Sequence, residues 1–283
     1  FTGFLNKKIE DYQMSSLLMA VVINGMSLEE TINLTDIFIR SGEIYDLSSL
    51  NTKIVDKHST GGIGDSTTLV VGPIVASCGV KMAKISGRGL GITGGTIDKL
   101  ESIPKFNVNL NKRQFIDALK KVGFVDSSQT KELVPLDKLV YNLRNNSGTT
   151  ESLPLIISSI MSKKIASGAD KILIDIKVGS GALIKTKKDA IIASSWMKAI
   201  GKKYNKKIVT LITDMNTPLS NSVGNRLEVE EAIRVLKGEE CRLAETSKEI
   251  ATILISLVPA PTILAPILFK NVATLTISGS LAA

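Results

Sequence analysis

Nine consecutive residues in the first quarter of the chain combine side chains and backbone that can hold an anion. They are Lys57-His58-Ser59-Thr60-Gly61-Gly62-Ile63-Gly64-Asp65, placed after a short apolar run and before an apolar helix that extends to Ala76. Glycine lets backbone amides close on a negative group, and a helix N-terminus adds partial positive charge. Because the spacing fits neither a Walker loop nor a dinucleotide fingerprint, we predict a phosphate-type loop of another kind.

His58 is the only histidine of the chain. A side chain that titrates near neutral pH is suited to acid–base chemistry beside a bound anion. The alternative is an ordinary turn with a solvated histidine. A lone histidine also disfavours a histidine metal site.

A second glycine-rich run follows another apolar segment. It extends from Ser86 to Thr96, and Lys84 lies just before it. Two such turns at neighbouring strand ends could grip one phosphate from two sides, with the lysine as a charged contact. Gly89, Gly91 and Gly94 match the dinucleotide spacing, but no acidic residue closes a following strand to hold a ribose. We therefore predict a second phosphate contact here.

Four residues of a predicted helix over Ser152 to Ala166 share one face. Ile156, Ser159, Ile160 and Lys163 fall at i, i+3, i+4 and i+7. Such a face suits a flat aromatic base, with the isoleucines against the ring and the polar groups at its carbonyl edge. The alternative is a core stripe whose lysine extends its charged end to water.

The elements that must position these groups are helices first and then strands alternating with helices. Helices are predicted over Asp11 to Ile23, from a Ser27–Glu30 capping box to near Gly42, and over Asn111 to Gly123. Strands are predicted over Lys53 to Val55, Lys81 to Ser86, Lys171 to Ile176 and Lys207 to Thr213. This alternation predicts an α/β sheet whose ligand lies at the carboxyl ends of the strands.

Composition limits the class of partner. The chain has 283 residues, of which 43% are hydrophobic and 22% charged, enough for one large or two unequal domains. Its net charge is +8, but the lysines are scattered, which disfavours nucleic acid and favours a small phosphate-bearing ligand. Cys78 and Cys241 lie far apart, which argues against a disulfide framework or a zinc site and fits a cytoplasmic protein.

The two ends of the sequence suggest an incomplete chain. Phe1 is not a start residue, and no signal peptide opens the sequence. The apolar stretch from Ile250 to Phe269 contains three prolines, which disfavours a membrane span. Only Lys270 is charged after Glu249, a pattern that indicates truncation or a frameshift.

Four motifs resemble the thymidine phosphorylase and pyrimidine-nucleoside phosphorylase family. They are Lys57 to Gly62, Ser86 to Gly91, Thr93 to Ser102 and Ser152 to Ile156, and the resemblance extends from about Asp11 to about Ser256. It implies an α/β fold in which a small all-α domain faces a larger α/β domain with a mostly parallel sheet across a cleft. It also implies a homodimer.

The resemblance implies a domain division and a reaction. Residues 1–46 and 135–166 would form the α domain, for dimerisation and base binding; residues 53–129 and 170–283 would form the α/β domain, for phosphate binding. The reaction would be the reversible phosphorolysis of thymidine and deoxyuridine, with uridine left open, to free base and pentose 1-phosphate. Inorganic phosphate would be the co-substrate, and no organic cofactor is implied.

The resemblance also implies ligand positions. Phosphate would be bound by Lys57, Ser59, Thr68, Lys84, Ser86 and Thr96. The pyrimidine would be held by Arg144, Ser159 and Lys163, with Leu90, Ile156 and Ile160 beside it and His58 near its O2. The catalytic set would be His58, Arg144, Ser159 and Lys163. A potassium-like ion would be bound by Gly64, Ser66, Leu219, Ser222 and Glu231.

Two positions depart from the family pattern. Ile92 stands where the family usually has histidine, so one donor in the cleft is missing. Asn145 stands where an aspartate usually follows the arginine, so a carboxylate that could orient Arg144 is missing.

Two other functions are compatible with the same motifs. An anthranilate-type phosphoribosyltransferase shares the architecture and would need carboxylates for magnesium, for which Asp98 and Glu101 are the nearest candidates. A non-catalytic fragment that retains the motifs is the other.

Overall fold

The computed structural model of the chain describes residues 1–89 and 94–259. The strands are β1 Val55–Ser59, β2 Met82–Ser86, β3 Phe124–Ser128, β4 Lys171–Val178 and β5 Lys207–Asp214. The helices are α1 Thr2–Leu5, α2 Asp11–Asn24, α3 Leu28–Arg40, α4 Thr67–Ser77, α5 Thr96–Glu101, α6 Lys112–Val122, α7 Pro135–Asn146, α8 Leu153–Ala166, α9 Lys187–Lys203, α10 Asn225–Leu236 and α11 Arg242–Ser256, with a 3₁₀ turn at Ser48–Leu50.

The fold class predicted from the sequence is confirmed. The five strands pair in parallel in the order β3-β2-β1-β4-β5. Helices α4 and α11 pack on one face of the sheet, and α8 and α9 pack on the other. The first three helices form a small helical part with α7 and the start of α8, around one apolar cluster: Phe4, Met14, Leu18, Leu34, Phe38, Leu136, Val140 and Leu155.

Local capping explains where several helices begin. The Ser27 hydroxyl accepts from the Glu30 amide at 3.2 Å, and the Glu30 carboxylate accepts from the Ser27 amide at 2.7 Å. Asn111 and Gln114 make the same reciprocal pair at α6, and Gly123 ends that helix with a φ of 84°, which suits glycine. These predicted helix starts are confirmed.

The first strand departs from its predicted position. It runs over Val55–Ser59 instead of Lys53 to Val55, so Lys57, His58 and Ser59 belong to a strand and not to the loop after it. A central strand of a parallel sheet is usually apolar, whereas this one is polar. A search for apolar runs therefore does not detect β1. It does not detect β3 either, because the last three residues of that strand are polar.

Helix α8 joins the helical part to the sheet. All its side chains from Pro154 to Ala166 are buried. On one side the Ser158 hydroxyl donates to the Thr31 carbonyl of α3 at 3.2 Å. On the other side the Lys164 ammonium lies 2.7 Å from the Asp56 carboxylate of β1 and donates to the Ile85 carbonyl of β2 at 3.0 Å. The helix is thus fixed to both layers by polar contacts as well as by packing.

Within residues 1–89 and 94–259, no helix combines the length and the apolar character that a membrane span requires. The stretch from Ile250 to Phe269, discussed above for its three prolines, lies partly outside the described residues.

We predict that Lys164→Met destabilises the chain by about 3–5 kcal/mol, because it leaves the Asp56 carboxylate buried without its cation. The measurement is the free energy of unfolding in urea. The matched control is Arg226→Met, which removes an exposed ion pair with Glu230 and should change stability by less than about 1 kcal/mol. Equal losses in the two variants would contradict the assignment.

Candidate functional site

A cavity of about 600 Å³ opens where β1, β2 and β3 end, between the sheet and helices α7 and α8. Ser59, Ser86 and Ser128, the last residues of those strands, line it. Its position follows the rule that ligands bind at the carboxyl ends of parallel strands. Eleven residues predicted from the sequence line this cavity: His58, Ser59, Thr68, Lys84, Ser86, Thr96, Arg144, Ile156, Ser159, Ile160 and Lys163.

The wall formed by the sheet offers donors for an anion. Lys84 Nζ donates to the Lys57 carbonyl at 2.8 Å and lines the cavity. Burial and, to a smaller extent, the neighbouring Lys164 lower the pKa of Lys84 to about 8. The Ser86 hydroxyl is buried and has no partner at normal hydrogen-bond distance in the described part of the chain, although it is close enough to Asp126 to lower the pKa of that carboxyl. An anion at this wall would therefore meet a cation and an unused hydroxyl.

Carboxylates hold the two described ends of the second glycine-rich run, at Gly89 and Gly95. The Asp98 carboxylate accepts from the Gly89 amide at 2.7 Å and from the Gly95 amide at 3.2 Å. Arg88 bridges Asp98 at 3.0 Å and Glu101 at 2.6 Å. A Cβ on Gly95 would lie 2.3 Å from the backbone of Arg88, so only glycine allows this close approach. Leu90 and Ile92, which the sequence analysis singled out, lie outside the described residues.

The helical wall carries Lys163 inside a small polar network. Its ammonium lies 2.6 Å from the Asp137 carboxylate and donates to the Ser159 hydroxyl at 2.6 Å. The ring of Tyr141 lies 5.3 Å from the ammonium. Burial lowers the pKa of Lys163, and Asp137 counteracts that effect. Asp137 therefore keeps a buried cation available at the cavity.

Arg144 is held by backbone carbonyls. Its Nε donates to Thr149 at 3.0 Å and its Nη2 donates to Thr150 at 2.8 Å. Burial lowers the pKa of Arg144 to about 10, which leaves it charged at neutral pH. The carbonyls thus orient the guanidinium where the sequence lacks the carboxylate expected at Asn145, a residue that also lines the cavity.

His58 lines the same cavity as a neutral imidazole. Burial lowers its pKa well below 6.5, and Lys164 and Lys84 lower it further. Its Nδ1 is buried and has no hydrogen-bond partner among the described residues. A neutral imidazole exchanges hydrogen bonds but holds no extra proton at pH 7. The environment of His58 therefore fits a hydrogen-bonding role better than the proton transfer predicted from the sequence.

Lys57 is the one described phosphate candidate that does not line the cavity. Side chains alternate between the two faces of a strand, so Lys57 and its neighbour His58 point to opposite faces. The ammonium of Lys57 contacts the Thr67 hydroxyl and lies 4.0 Å from the Asp65 carboxylate. These contacts hold the Lys57 ammonium beside the start of α4.

The residues predicted for a potassium-like ion lie together on two connected segments. Glu231 is fully buried, and its carboxylate accepts from the amides of Asn221 at 2.9 Å and Ser222 at 2.6 Å. Ser220 donates to the Gly64 carbonyl at 2.5 Å, and the Leu219 amide donates to the Ile63 carbonyl at 3.2 Å. Ser66 is directed away, because its hydroxyl donates to Glu228 at 2.7 Å.

These oxygen atoms supply part of the coordination that a monovalent cation would need. A carboxylate that accepts one hydrogen bond on each oxygen retains lone pairs for an ion. The described residues contain no group of three or more His, Cys, Asp or Glu side chains that could hold a metal ion. Backbone carbonyls would have to complete the set around Glu231.

Sequence reasoning missed two residues that shape the helical wall. Asp137 and Tyr141 stand at i and i+4 on α7, with Arg144 at i+7, so all three share one helical face. That spacing is the signal that could have found them.

Comparisons with known proteins agree with this architecture. Residues 1–42 match the glycosyl transferase family, helical bundle domain, and residues 51–265 match the glycosyl transferase family, a/b domain. The fold is similar to the crystal structure of anthranilate phosphoribosyltransferase from Thermus thermophilus, with a TM-score of 0.61 and 14% identity over 90% of this chain and 82% of that one.

Curated relatives are much more similar in sequence. A pyrimidine-nucleoside phosphorylase of Geobacillus stearothermophilus is 52% identical over 237 residues, which are 84% of this chain and 55% of the relative. The Bacillus subtilis enzyme of the same name is 50% identical over the same shares of each chain. The chain thus spans about half the length of these relatives. Since the two family matches together cover most of it, this chain belongs to the glycosyl transferase family that joins a helical bundle domain to an a/b domain.

Proposed function

We propose that this chain catalyses the reversible phosphorolysis of pyrimidine nucleosides, with thymidine and deoxyuridine as substrates and uridine as a further candidate. One observation carries the proposal: a single cavity has anion donors on its sheet wall and a base-sized polar face on its helical wall. Relatives named pyrimidine-nucleoside phosphorylase support the substrate class.

Phosphate would lie at the strand ends. Lys84 supplies charge there, and the hydroxyl donors on the same wall are Ser59, Thr68, Ser86 and Thr96. The pyrimidine would lie against Ile156 and Ile160, with its carbonyl edge toward Ser159, Lys163 and Arg144. The sugar would then lie between the two walls, with its anomeric carbon facing the phosphate.

The reaction exchanges one bond for another at the anomeric carbon. A phosphate oxygen bonds to that carbon from the face opposite the base, while the bond from carbon to the base nitrogen breaks. The electron pair of the broken bond passes to the pyrimidine and spreads over its carbonyl oxygens. Arg144 and Lys163 would stabilise this negative charge, which grows only as the transition state forms. A proton taken up by the base then gives the free pyrimidine and pentose 1-phosphate.

His58 would act on the leaving base through a hydrogen bond. Its lowered pKa makes it a poor proton donor at pH 7, whereas a neutral imidazole can still hydrogen-bond a carbonyl oxygen of the base. This role needs no change in the protonation of His58 during turnover.

The phosphoribosyltransferase alternative needs free carboxylates for magnesium. Asp98 is engaged by two backbone amides and Arg88, and Glu101 pairs with both terminal nitrogens of Arg88. Since these carboxylates already hold the glycine turn, the phosphorylase is favoured. A non-catalytic fragment is the second alternative, and the activity measurement below separates the two.

We further propose a bound potassium ion, a homodimer and a cytoplasmic location. Potassium would be held by Glu231 with carbonyls of Gly64 and Leu219, where it would stabilise the segments that adjoin the first glycine-rich turn.

A homodimer through the α domain, residues 1–46 and 135–166, is supported by exposed apolar side chains on α2, namely Tyr12, Leu17 and Ile23. Two free cysteines are consistent with a cytoplasmic location.

The purified chain is expected to release thymine and uracil from their nucleosides only when inorganic phosphate is present, and faster with potassium than with sodium. The measurement is base release followed by chromatography, with circular dichroism melting of the same sample. Release without phosphate would contradict phosphorolysis. A cooperatively folded sample that releases no base under any of these conditions would identify a non-catalytic fragment.

Lys163→Ala and Arg144→Ala are each expected to reduce kcat by at least about a hundredfold, because each removes a charge that stabilises the departing base. Steady-state kinetics measure the effect, and circular dichroism checks the fold. The matched control is Lys198→Ala, which alters an exposed lysine of α9. Near-normal turnover in both variants would rule out the base-binding assignment.

The histidine is expected to remain neutral in the folded chain throughout pH 6 to 8. A lowered pKa means that the proton is lost at a pH below that range and is not regained within it. Because His58 is the only histidine, the proton NMR signal of its ring reports this directly. Unfolding in urea should restore a titration near pH 6.5. A folded-state titration midpoint between pH 6 and 7 would contradict the prediction.

A further inference from the structure

Asp126 is a buried carboxyl that the proposed reaction does not use. It is 7% exposed, and neither of its carboxyl oxygens has a partner at normal hydrogen-bond distance in the described part of the chain, although the nearby Ser86 hydroxyl lowers its pKa. A buried polar group without a partner is costly, so its presence calls for a physical reason.

The sheet register places Asp126 beside Lys84. Asp126 of β3 pairs with Lys84 of β2, and residues paired across parallel strands point to the same face. Adjacent strands lie about 4.8 Å apart. The Lys84 ammonium donates its hydrogen bond to the Lys57 carbonyl, so the carboxylate acts on it through space.

Apolar surroundings strengthen this interaction. Asp126 borders a second cavity, of about 460 Å³, whose walls are almost entirely apolar and include Leu69, Pro73 and Phe124. Charges interact more strongly where water is excluded. Burial raises the pKa of Asp126 to about 6, and Lys84 opposes that rise. The carboxyl is therefore ionised at neutral and alkaline pH.

The groups around Lys84 have opposing effects on its charge. Lys164 of α8 and Lys57 of β1 disfavour the ammonium. Asp126, Asp56 and Asp65 favour it. Helix α4, which packs on the same face of the sheet, carries no titratable side chain, and the charged side chains of α6 are exposed to solvent. Of these carboxylates, Asp126 is the one that the sheet register pairs directly with Lys84.

We propose that Asp126 is a positioning residue for anion binding: its carboxylate keeps the Lys84 ammonium charged at the cavity, so that phosphate binding persists at alkaline pH. This inference rests on the proposed function, which assigns Lys84 to phosphate. Without the carboxylate, the lysine would lose its proton at a lower pH. Phosphate binding would then weaken on the alkaline side and be unchanged or stronger on the acidic side, where the lysine is charged in any case.

The test measures the dissociation constant of inorganic phosphate by titration calorimetry, for the unsubstituted chain and Asp126→Asn, at pH 6.5 and 8.5. We expect the constant of the variant to be raised about tenfold at pH 8.5, corresponding to a shift of about one pKa unit for Lys84. At pH 6.5 we expect it to stay within about twofold. The ionisation of phosphate itself is the same for both proteins and cancels in the comparison.

A matched control and a second variant complete the test. Asp117→Asn removes an exposed carboxylate of α6 and should leave the constant unchanged at both pH values. Lys84→Arg retains a charge at every pH used, whereas the pKa of Lys84 is about 8. The affinity of Lys84→Arg should therefore fall less between pH 7.5 and 9 than the affinity of the unsubstituted chain, whether or not Asp126→Asn folds. Thermal melting verifies the fold of each variant.

The outcomes separate the inference from the function on which it rests. If the unsubstituted chain binds phosphate and Asp126→Asn changes the constant by the same factor at both pH values, the positioning role is wrong while the phosphate site stands. A parallel alkaline loss in Lys84→Arg and the unsubstituted chain would also overturn it. If the unsubstituted chain binds no phosphate, both the site assignment and this inference fail.

Discussion

The buried ion pair between Lys164 and Asp56 sets the geometry on which the site depends. Both side chains are fully buried, and removing two charges from water costs free energy that only a well-made contact offsets. The contact fixes the rotation of α8 against β1. Residues adjacent on a helix point about 100° apart, so this rotation directs Lys163 away from the sheet, toward Asp137 and the cavity. One pair therefore decides where the Lys163 ammonium lies.

Buried charged pairs recur on both faces of the sheet for a related reason. A site that binds an anion needs cations near the strand ends, and cations inside a protein need partners. Lys57 lies near Asp65, Lys164 pairs with Asp56, and Lys84 lies beside Asp126. Each carboxylate supplies the negative charge that a buried ammonium needs beside it. The polar residues of β1 thus belong to this set of buried charges. They are also the reason that the strand is hard to predict from the sequence.

Much of the site could be predicted because its signals are local. Glycine and hydroxyl residues in one short run predict a turn that can meet an anion, and the face of α8 follows from helical spacing alone. Capping boxes place helix starts within a residue. These signals need only a few neighbouring residues of sequence, and they correctly located the cavity at the strand ends.

The remaining features depend on contacts between distant residues. Asp56 meets Lys164 across 108 positions, and Lys163 meets Asp137 across 26. Nothing in the neighbourhood of Asp126 in the sequence indicates that it lies beside Lys84. Strand β1 and the direction of the Lys57 side chain follow from such pairings. Periodicity cannot show them, because a charged residue in a central strand contradicts the usual apolar pattern.

The burial of α8 has a consequence for the rate at which its amide hydrogens exchange with solvent. A helix whose side chains are buried from Pro154 to Ala166 can expose its amides to solvent only when the whole structure opens, so its amide hydrogens exchange as slowly as global unfolding allows. Helix α2, which has several apolar side chains in contact with water, lacks that protection. The wall that α8 contributes to the cavity is therefore as durable as the fold itself.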